Sequence, residues 1–259
     1  MFTSHLDTAT SALTQVTHVF DGKIIKTDGK SILGADDKAG VTIMLYMIEN
    51  KIPGLYYFFL GEEVGCVGSK KVAAAQKETK IEGINKVISF DRRGTDSVIT
   101  FQSSQRCCSD AFGEALSKQL NLADDSFSYK NDPTGILTDS VQFIKIYSEC
   151  TNISVGYYSE HTGKERQNIN YLERLAKASV QVDWNSLPTT RKVGIDEETI
   201  RKYGKLINDV KATPFGIDVK IASDRATTFI QCDLEEGYID ETYEALTTLQ
   251  FLLNKHKVS

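Results

Sequence analysis

The feature that most constrains the fold is a continuous apolar and aromatic run at residues 55–60, which follows Pro53-Gly54 and precedes Gly61. Such a run is typical of a strand that is buried on both faces of a sheet. Strand patterns at 2–4, 86–90, 97–102 and 152–157 alternate with helical patterns at 37–50, 69–76, 109–120, 138–146 and 168–182. This alternation predicts an α/β fold with a mixed, largely parallel sheet and helices on both faces.

The character of the sequence changes after Pro188. A charged helical pattern at 195–211 is followed by strand patterns at 215–221 and 227–232 and by a closing helix at 241–254. No long linker separates these elements from the rest of the chain. We therefore expect a main domain at residues 1–187 and a helix–hairpin–helix appendage at 188–259, packed on the same domain.

Composition excludes several classes of partner. The chain of 259 residues has a net charge of -5 and no basic run, so nucleic acid is not an expected partner. No apolar stretch approaches the roughly 20 residues that span a bilayer, and no secretory signal is visible at the first residues. The five cysteines form no C-x-x-C pair, which indicates free thiols and a cytoplasmic location.

Acids and histidines follow the predicted strands at the point where each strand ends, and an acidic pair opens the first helix. These residues are His5, Glu62, Glu63, Asp91, His161 and the pair Asp36-Asp37. Sites of open parallel sheets assemble at the carboxyl edge of the strands, so we expect these side chains to converge there. The acidic pair alone could be a simple helix cap, and its meaning depends on the other residues.

The chemistry of this set fits a site for two metal ions. Two neutral imidazoles and several carboxylates can ligate two divalent ions if one carboxylate is shared. Asp7 lies two residues from His5 on an extended segment, where it can orient the imidazole. Glu62 and Glu63 are adjacent and point differently, so one can bind metal while the other handles a proton.

Five motifs occur in an order that is similar to one family. They are Ser4-His5-Leu6-Asp7-Thr8, Gly34-Ala35-Asp36-Asp37-Lys38-Ala39-Gly40, Gly61-Glu62-Glu63-Val64-Gly65, Asp91 after its strand, and His161-Thr162. Together they resemble the zinc exopeptidase clan, which includes peptidase T, aminoacylase, carboxypeptidase G and the tetrahedral aminopeptidases. The resemblance covers about residues 4–165.

The resemblance implies a role for each matched residue. His5 and Asp91 would bind one metal ion. Glu63 and His161 would bind the other, and Asp36 would bridge the two ions through a loop with a cis Asp36-Asp37 peptide bond. The ions would be zinc, with cobalt or manganese as alternatives.

The remaining two matched acids are assigned to catalysis by the same resemblance. Glu62 would be the general base, and Asp7 would support His5 without binding metal.

Relatives usually carry an inserted lid domain, but the gaps between the motifs of this chain are too short for one, so we expect a catalytic domain without a lid.

The resemblance implies a hydrolase that cleaves an amide bond in small peptides, with aminopeptidase as the leading activity. Two alternatives stay open: an N-acyl-amino-acid deacylase, and a non-catalytic binding protein on the same fold.

Arg92 and Arg93 follow Asp91 and are either surface charges or a clamp for a substrate carboxylate. Cys66, beside the Glu62-Glu63 pair, is interpreted as a packed free cysteine. Nothing in the sequence fixes the oligomeric state.

Overall fold

The computed structural model describes residues 1–10 and 15–193, together with the backbone of strands at 207–213, 216–223 and 226–232. The chain divides into two units, Met1–Val193 and Gly194–Ser259. This division lies a few residues beyond the predicted boundary at residue 187. That the appendage packs on the main domain stays a prediction.

The strands of the chain follow one another in this order: β1 (Phe2–His5), β2 (His18–Asp21), β3 (Ile24–Thr27), β4 (Tyr56–Phe59), β5 (Lys86–Arg92), β6 (Ser97–Ile99), β7 (Phe101–Gln102), β8 (Gln105–Arg106), β9 (Lys130–Asp132), β10 (Glu149–Ser154), β11 (Tyr157–Tyr158), β12 (Arg166–Asn168), β13 (Ile207–Thr213), β14 (Gly216–Ser223) and β15 (Ala226–Cys232). The helices are α1 (Ala35–Glu49), α2 (Val67–Glu78), α3 (Asp110–Ala123) and α4 (Ile169–Ser179), with a 3₁₀ helix at Asp139–Phe143.

The main sheet has six strands in the order β4-β1-β5-β10-β6-β9. Strands β4, β1, β5 and β10 run parallel, and β10 pairs with β6 antiparallel. The structure therefore confirms the mixed, largely parallel sheet that the sequence predicts. A second sheet of four strands, in the order β11-β12-β3-β2, contains a hairpin of β2 and β3 whose turn includes Gly22.

Helices cover both faces of the main sheet because successive strand residues point to opposite sides. On β5, Ile88 packs in a core cluster with α1, α3 and α4, whereas its neighbour Val87 packs in a second cluster with α2 and the 3₁₀ helix. Helix α1 approaches the sheet closely at Gly40, where a Cβ atom would lie 2.1 Å from the carbonyl oxygen of Phe90. Glycine at residue 40 therefore sets the distance between α1 and the strand that carries Asp91.

Two elements of the main unit differ from the sequence prediction. The predicted helix at 138–146 is a 3₁₀ helix at Asp139–Phe143. The β-branched residues Val141, Ile144 and Ile146 disfavour a longer helix here. The predicted strand at 152–157 is instead β10 followed by β11, which belongs to the other sheet. Gly156, with φ of 93°, provides the change of direction between them.

In the second unit, β13, β14 and β15 form an antiparallel sheet of three strands. The strand predictions at 215–221 and 227–232 are confirmed. The helix predicted at 195–211 is wrong at its carboxyl end, where Ile207–Thr213 is a strand. The β-branched residues Ile207, Val210 and Thr213 favour a strand that pairs with a neighbouring strand. Residues 194–206 and the closing helix predicted at 241–254 lie outside the described residues.

Two further observations concern the described part of the chain. None of its helices has the length and apolar character needed to cross a membrane. Its cysteines, Cys66, Cys107, Cys108 and Cys150, are all free thiols and all buried. The predicted absence of disulfides therefore holds for these four residues.

Candidate metal centre

Three neighbouring parallel strands, β4, β1 and β5, bring the first set of predicted residues to one edge of the sheet. His5 is the last residue of β1 and is in register with Phe59 at the end of β4. Glu62 and Glu63 therefore follow β4 directly beside His5, and Asp91 lies near the end of β5 on the other side. The parallel register explains why residues so distant in sequence meet at this edge.

Asp36 enters the site from the turn that opens α1. Gly34 has φ of 74°, and the Asp36-Asp37 peptide bond is cis, as the resemblance implies. The buried carboxylate of Glu165 accepts hydrogen bonds from the backbone N–H groups of Leu33 and Gly34, both at 2.8 Å, and from that of Asp36 at 2.9 Å. Glu165 thus fixes the backbone of the turn that presents Asp36.

The five predicted metal ligands lie together. His5 Nε2 is 3.0 Å from Asp36 Oδ1 and 3.6 Å from Asp91 Oδ1. His161 Nε2 is 3.1 Å from Asp36 Oδ2 and 3.0 Å from Glu63 Oε2. Asp36 therefore presents one carboxylate oxygen to each histidine, as a bridging ligand would. We call His5, Asp91 and Asp36 Oδ1 the buried half-site, and His161, Glu63 and Asp36 Oδ2 the exposed half-site.

Asp37 also lies within reach of His5 and Asp91, but its carboxylate is already bound. It accepts hydrogen bonds from the Ser4 hydroxyl, from the His5 backbone N–H at 3.2 Å and from the Gly40 backbone N–H at 3.1 Å. The side chain is fully buried. Asp37 therefore holds β1 to α1 through hydrogen bonds to both of its carboxylate oxygens.

The electrostatics of the metal-free site depend on how histidines and acids share protons. Burial disfavours a charged His5, but the hydrogen bond to Asp36 and the nearby charge of Asp91 outweigh burial and raise the pKa of the imidazole. Burial and the charge of Asp91 raise the pKa of Asp36 to about 7. For Asp91, bonds from His5 and Thr138 outweigh burial and lower the pKa. The buried half-site is thus held together by shared protons when no ion is bound.

Asp7 contacts His5 as expected and also has a contact that the sequence does not predict. Asp7 Oδ1 is 3.5 Å from His5 Nδ1, and the Asp7 backbone carbonyl is closer to the same nitrogen, at 3.1 Å. The two carboxylate oxygens accept from the backbone N–H groups of Glu62 and Glu63 at 3.2 and 3.1 Å. Asp7 therefore joins the loop that carries both glutamates to the end of β1.

Glu62 is not among the acids that contact the histidines. Burial, followed by repulsion from Asp91, raises the pKa of Glu62 to about 8. Cys66 donates its S–H to Glu62 Oε1 over 3.6 Å, consistent with a packed cysteine beside the site. A carboxyl group with a pKa near neutral pH can both accept and release a proton during turnover.

Sequence reasoning missed several residues that position the ligands. The Thr138 hydroxyl donates to Asp91 Oδ2 at 2.7 Å, and the Tyr157 hydroxyl donates to Asp91 Oδ1 at 3.1 Å. Asn152 bonds the Asp91 backbone through both its amide oxygen and its amide nitrogen. Glu165 carries no signal in the sequence, because Gly-Lys-Glu-Arg is typical of a surface turn.

Both arginines after Asp91 are already paired with acids. Arg92 donates to the hydroxyl of Thr134 at 3.1 Å and lies 3.7 Å from Asp132. Arg93 lies 3.1 Å from Glu160. This pairing favours the interpretation of Arg92 as a structural charge over that of a clamp for a substrate carboxylate.

The donor set fits divalent metal ions on its own chemistry. Imidazole nitrogen and carboxylate oxygen are the ligands that zinc takes in catalytic sites. Glu63 Oε1 is buried and has no hydrogen-bond partner among the described residues, so an acceptor in the exposed half-site is left without a donor. A cation would satisfy that oxygen and neutralise the neighbouring carboxylates.

Comparison with known proteins places these observations in a family. The model of Peptidase family M28 matches residues 1–176. The uncharacterized protein YqjE of Bacillus subtilis is 43% identical over 76 residues, a match that spans 27% of this chain and 20% of the length of that protein.

Solved structures with the same fold include two bacterial peptidases. Aminopeptidase PepT from Bacillus cereus matches with a TM-score of 0.53 and 16% identity, over 70% of this chain and 78% of that one. A tripeptidase from Staphylococcus aureus matches with a TM-score of 0.54 and 16% identity, over the same shares of 70% and 78%. These comparisons confirm the α/β fold and the resemblance to zinc exopeptidases that the motifs predict.

Proposed function

Because this chain belongs to peptidase family M28 and is a metal-dependent peptidase, we propose that it is a two-metal aminopeptidase that acts on short peptides. The observation that carries the proposal is the position of Asp36 between His5 and His161, with one oxygen at 3.0 Å from the first and the other at 3.1 Å from the second. A shared carboxylate between two histidines is what a pair of neighbouring ions requires.

In this proposal the two half-sites bind one ion each. His5 and Asp91 would hold the first ion, His161 and Glu63 would hold the second, and Asp36 would be shared between them. Two divalent ions of the zinc type, when bound, would polarise the scissile carbonyl and lower the pKa of a water molecule. The carboxylates lose their mutual repulsion at the same time, which favours binding of both ions.

Glu62 is the general base of the proposed reaction. Its carboxylate lines the same cleft as Asp36 and Glu63 and remains free of the histidines. It accepts a proton from the attacking water and delivers that proton to the leaving amine. Cations bound nearby would lower the pKa of Glu62 from its value of about 8, because a cation favours the charged carboxylate.

Asp7 acts through the other residues of the site. Its carboxylate bonds the backbone of Glu62 and Glu63, so it sets the distance between the base and the exposed half-site. Its carbonyl and carboxylate also face His5 Nδ1, which leaves Nε2 directed at Asp36 and Asp91. Asp7 is therefore a positioning residue in this scheme.

A substrate panel with metal analysis tests the proposal. The full chain is reconstituted with zinc, cobalt or manganese, and the bound ions are counted by elemental analysis. Aminoacyl anilides, di- and tripeptides and N-acyl amino acids are then compared by kcat/KM. We expect about two ions per chain and turnover of substrates with a free amino terminus. Turnover of N-acyl amino acids alone would instead identify a deacylase, and two bound ions without any hydrolysis would contradict both activities.

A further inference from the structure

The proposed function requires a group that recognises the free amino terminus of the substrate, and we infer that this group is the carboxylate of Glu160. The inference rests on the proposed aminopeptidase activity. Glu160 directly precedes His161 in the chain, and it lines the same open cleft as Asp36, Glu63 and Asp91. Among the acids that line this cleft, Glu160 is neither the proposed base nor a proposed metal ligand, and its carboxylate contacts neither His5 nor His161.

The two oxygens of Glu160 differ in their surroundings. Oε1 accepts from Arg93 Nη1 at 3.1 Å. Oε2 is buried and has no hydrogen-bond partner among the described residues. The side chain as a whole is only 19% exposed, whereas that of Arg93 is 61% exposed. One oxygen is therefore anchored by a solvent-facing guanidinium, while the other lacks a donor.

A buried carboxylate oxygen without a donor is costly, and a ligand that brings a charged donor relieves the cost. An α-ammonium group is such a ligand, since it offers N–H donors and a positive charge. A substrate carboxylate would instead be repelled by Glu160. Arg93, which could otherwise attract one, is already paired with Glu160 Oε1.

Position supports the same assignment. In an aminopeptidase, the α-ammonium group is separated from the scissile carbonyl by a single carbon atom. The group that reads it must therefore stand beside the metal ligands, and Glu160 is the immediate neighbour of His161. The cleft also includes Ile99, Ile136 and Leu137, so a leucyl substrate suits the test.

The test compares two substrates that differ only in the amine: leucine p-nitroanilide and isocaproyl p-nitroanilide. In the zinc-loaded full chain, Glu160→Gln keeps the size and shape of the side chain but removes its charge. We expect KM for the leucine substrate to rise about 10–100-fold, while kcat changes little and the isocaproyl substrate is unaffected. Glu160→Asp keeps the charge and should retain part of the preference.

Glu173→Gln is the matched control, because Glu173 is an exposed acid paired with Lys177 on α4. It should change neither substrate. An unchanged ratio of kcat/KM for the two substrates in Glu160→Gln would overturn the inference. If both values fall equally, the substitution has only disturbed the loop. Zinc counts on each variant identify such a disturbance directly.

Calorimetry separates this inference from the proposed function. Leucinol and 4-methylpentan-1-ol, which differ only in the amine and have no amide bond to cleave, are titrated into the zinc-loaded chain and into Glu160→Gln. Preferential binding of leucinol that is lost in the variant supports the role of Glu160 even if no substrate is hydrolysed. Hydrolysis of peptides by the wild type with an unchanged preference for leucinol in the variant would instead leave the peptidase assignment intact and overturn the role of Glu160.

Discussion

The buried and exposed half-sites share Asp36, but the chain constructs them in different ways. His5 is 1% exposed and ends a central strand, whereas the side chain of His161 is 48% exposed and belongs to a turn in which its φ is 62°. Asp91 is fixed by Thr138 and Tyr157 through both carboxylate oxygens. Glu63 has one oxygen near His161 and the other, Oε1, without a partner among the described residues.

This difference indicates how far each half-site is organised before metal binds. The candidate ligands of the buried half-site are fixed by the sheet, by the hydrogen bond between His5 and Asp36, and by those that Asp91 accepts. The exposed half-site depends on a loop after β4 and on a turn after β11, and a bound ion would supply the missing contact of Glu63. We therefore expect the buried half-site to bind its ion more tightly and the exposed half-site to lose its ion first.

The largest expected effect separates two adjacent glutamates. Glu62→Gln should lower kcat by about 10²–10⁴-fold and leave both ions bound, because it removes the base but no ligand. Glu63→Gln should also lower kcat and should lose the ion of the exposed half-site. Steady-state kinetics and elemental analysis of the same preparations measure both effects. Near-full activity of Glu62→Gln with two ions bound would mean that the roles of the two glutamates are exchanged.

The next effect concerns stability without metal. His5→Ala should lower the free energy of unfolding of the metal-free protein by about 2–4 kcal/mol, because it leaves Asp36 and Asp91 buried without their partner. His161→Ala should cost less than about 1 kcal/mol, since that side chain is half exposed and lies on a turn. Urea titration in the presence of a chelator gives both values. Equal losses would contradict the distinction between the half-sites.

That the candidate ligands of both half-sites meet at one edge of the sheet could be predicted from sequence, because most of them follow strand ends and strand ends are visible in apolar patterns. His5, Glu63 and Asp91 obey this rule directly. The supporting residues could not be predicted in the same way. Glu165 bonds a turn more than a hundred residues away, and nothing in its own sequence surroundings indicates burial. The surroundings of Glu160 Oε2, which has no hydrogen-bond donor among the described residues, could not be predicted either. They depend on the contact with Arg93, which is distant in sequence.

The fold shows the same division between local and distant causes. The strands and helices around the parallel sheet follow from periodicity, and Ser109 caps α3 by accepting a hydrogen bond from the Phe112 N–H at 3.1 Å. The strand at Ile207–Thr213 overlaps the end of the segment 195–211, whose charged pattern predicts a helix. Pairing with β14 decides its conformation, and such pairing is not visible in one segment alone.

A smaller effect should reach both half-sites at once. Glu165→Gln replaces one carboxylate oxygen with an N–H₂ donor that faces backbone N–H donors of the turn before α1. The turn should shift, and Asp36 with it, so we expect the affinities for both ions to fall together by about 10–100-fold. Competition with a chromophoric chelator measures the two affinities. A loss confined to one ion would contradict the bridging position of Asp36. Glu173→Gln again serves as the control.

The smallest expected effect is a pH dependence that exists only without metal. Burial is the main cause that raises the pKa of Asp36 to about 7, of Glu62 to about 8 and of Asp139 to about 7. Each acid has a higher pKa in the folded than in the unfolded chain. The folded state therefore binds more protons than the unfolded state above about pH 4, and the free energy of unfolding decreases as the pH rises toward about 8.

His5 acts in the same direction, because its raised pKa stabilises the fold at low pH and this contribution fades above the unfolded value of 6.5. The lowered pKa of Asp91 affects only more acidic solutions. Thermal unfolding of the chelated protein should thus show a Tm that falls between about pH 5 and about pH 8. Zinc should raise Tm more at the upper end, where fewer protons compete for the ligands. Glu62→Gln should flatten the slope without removing it, since Asp36, Asp139 and His5 still titrate, and a Tm that rises with pH in the chelated wild type would contradict the assignment.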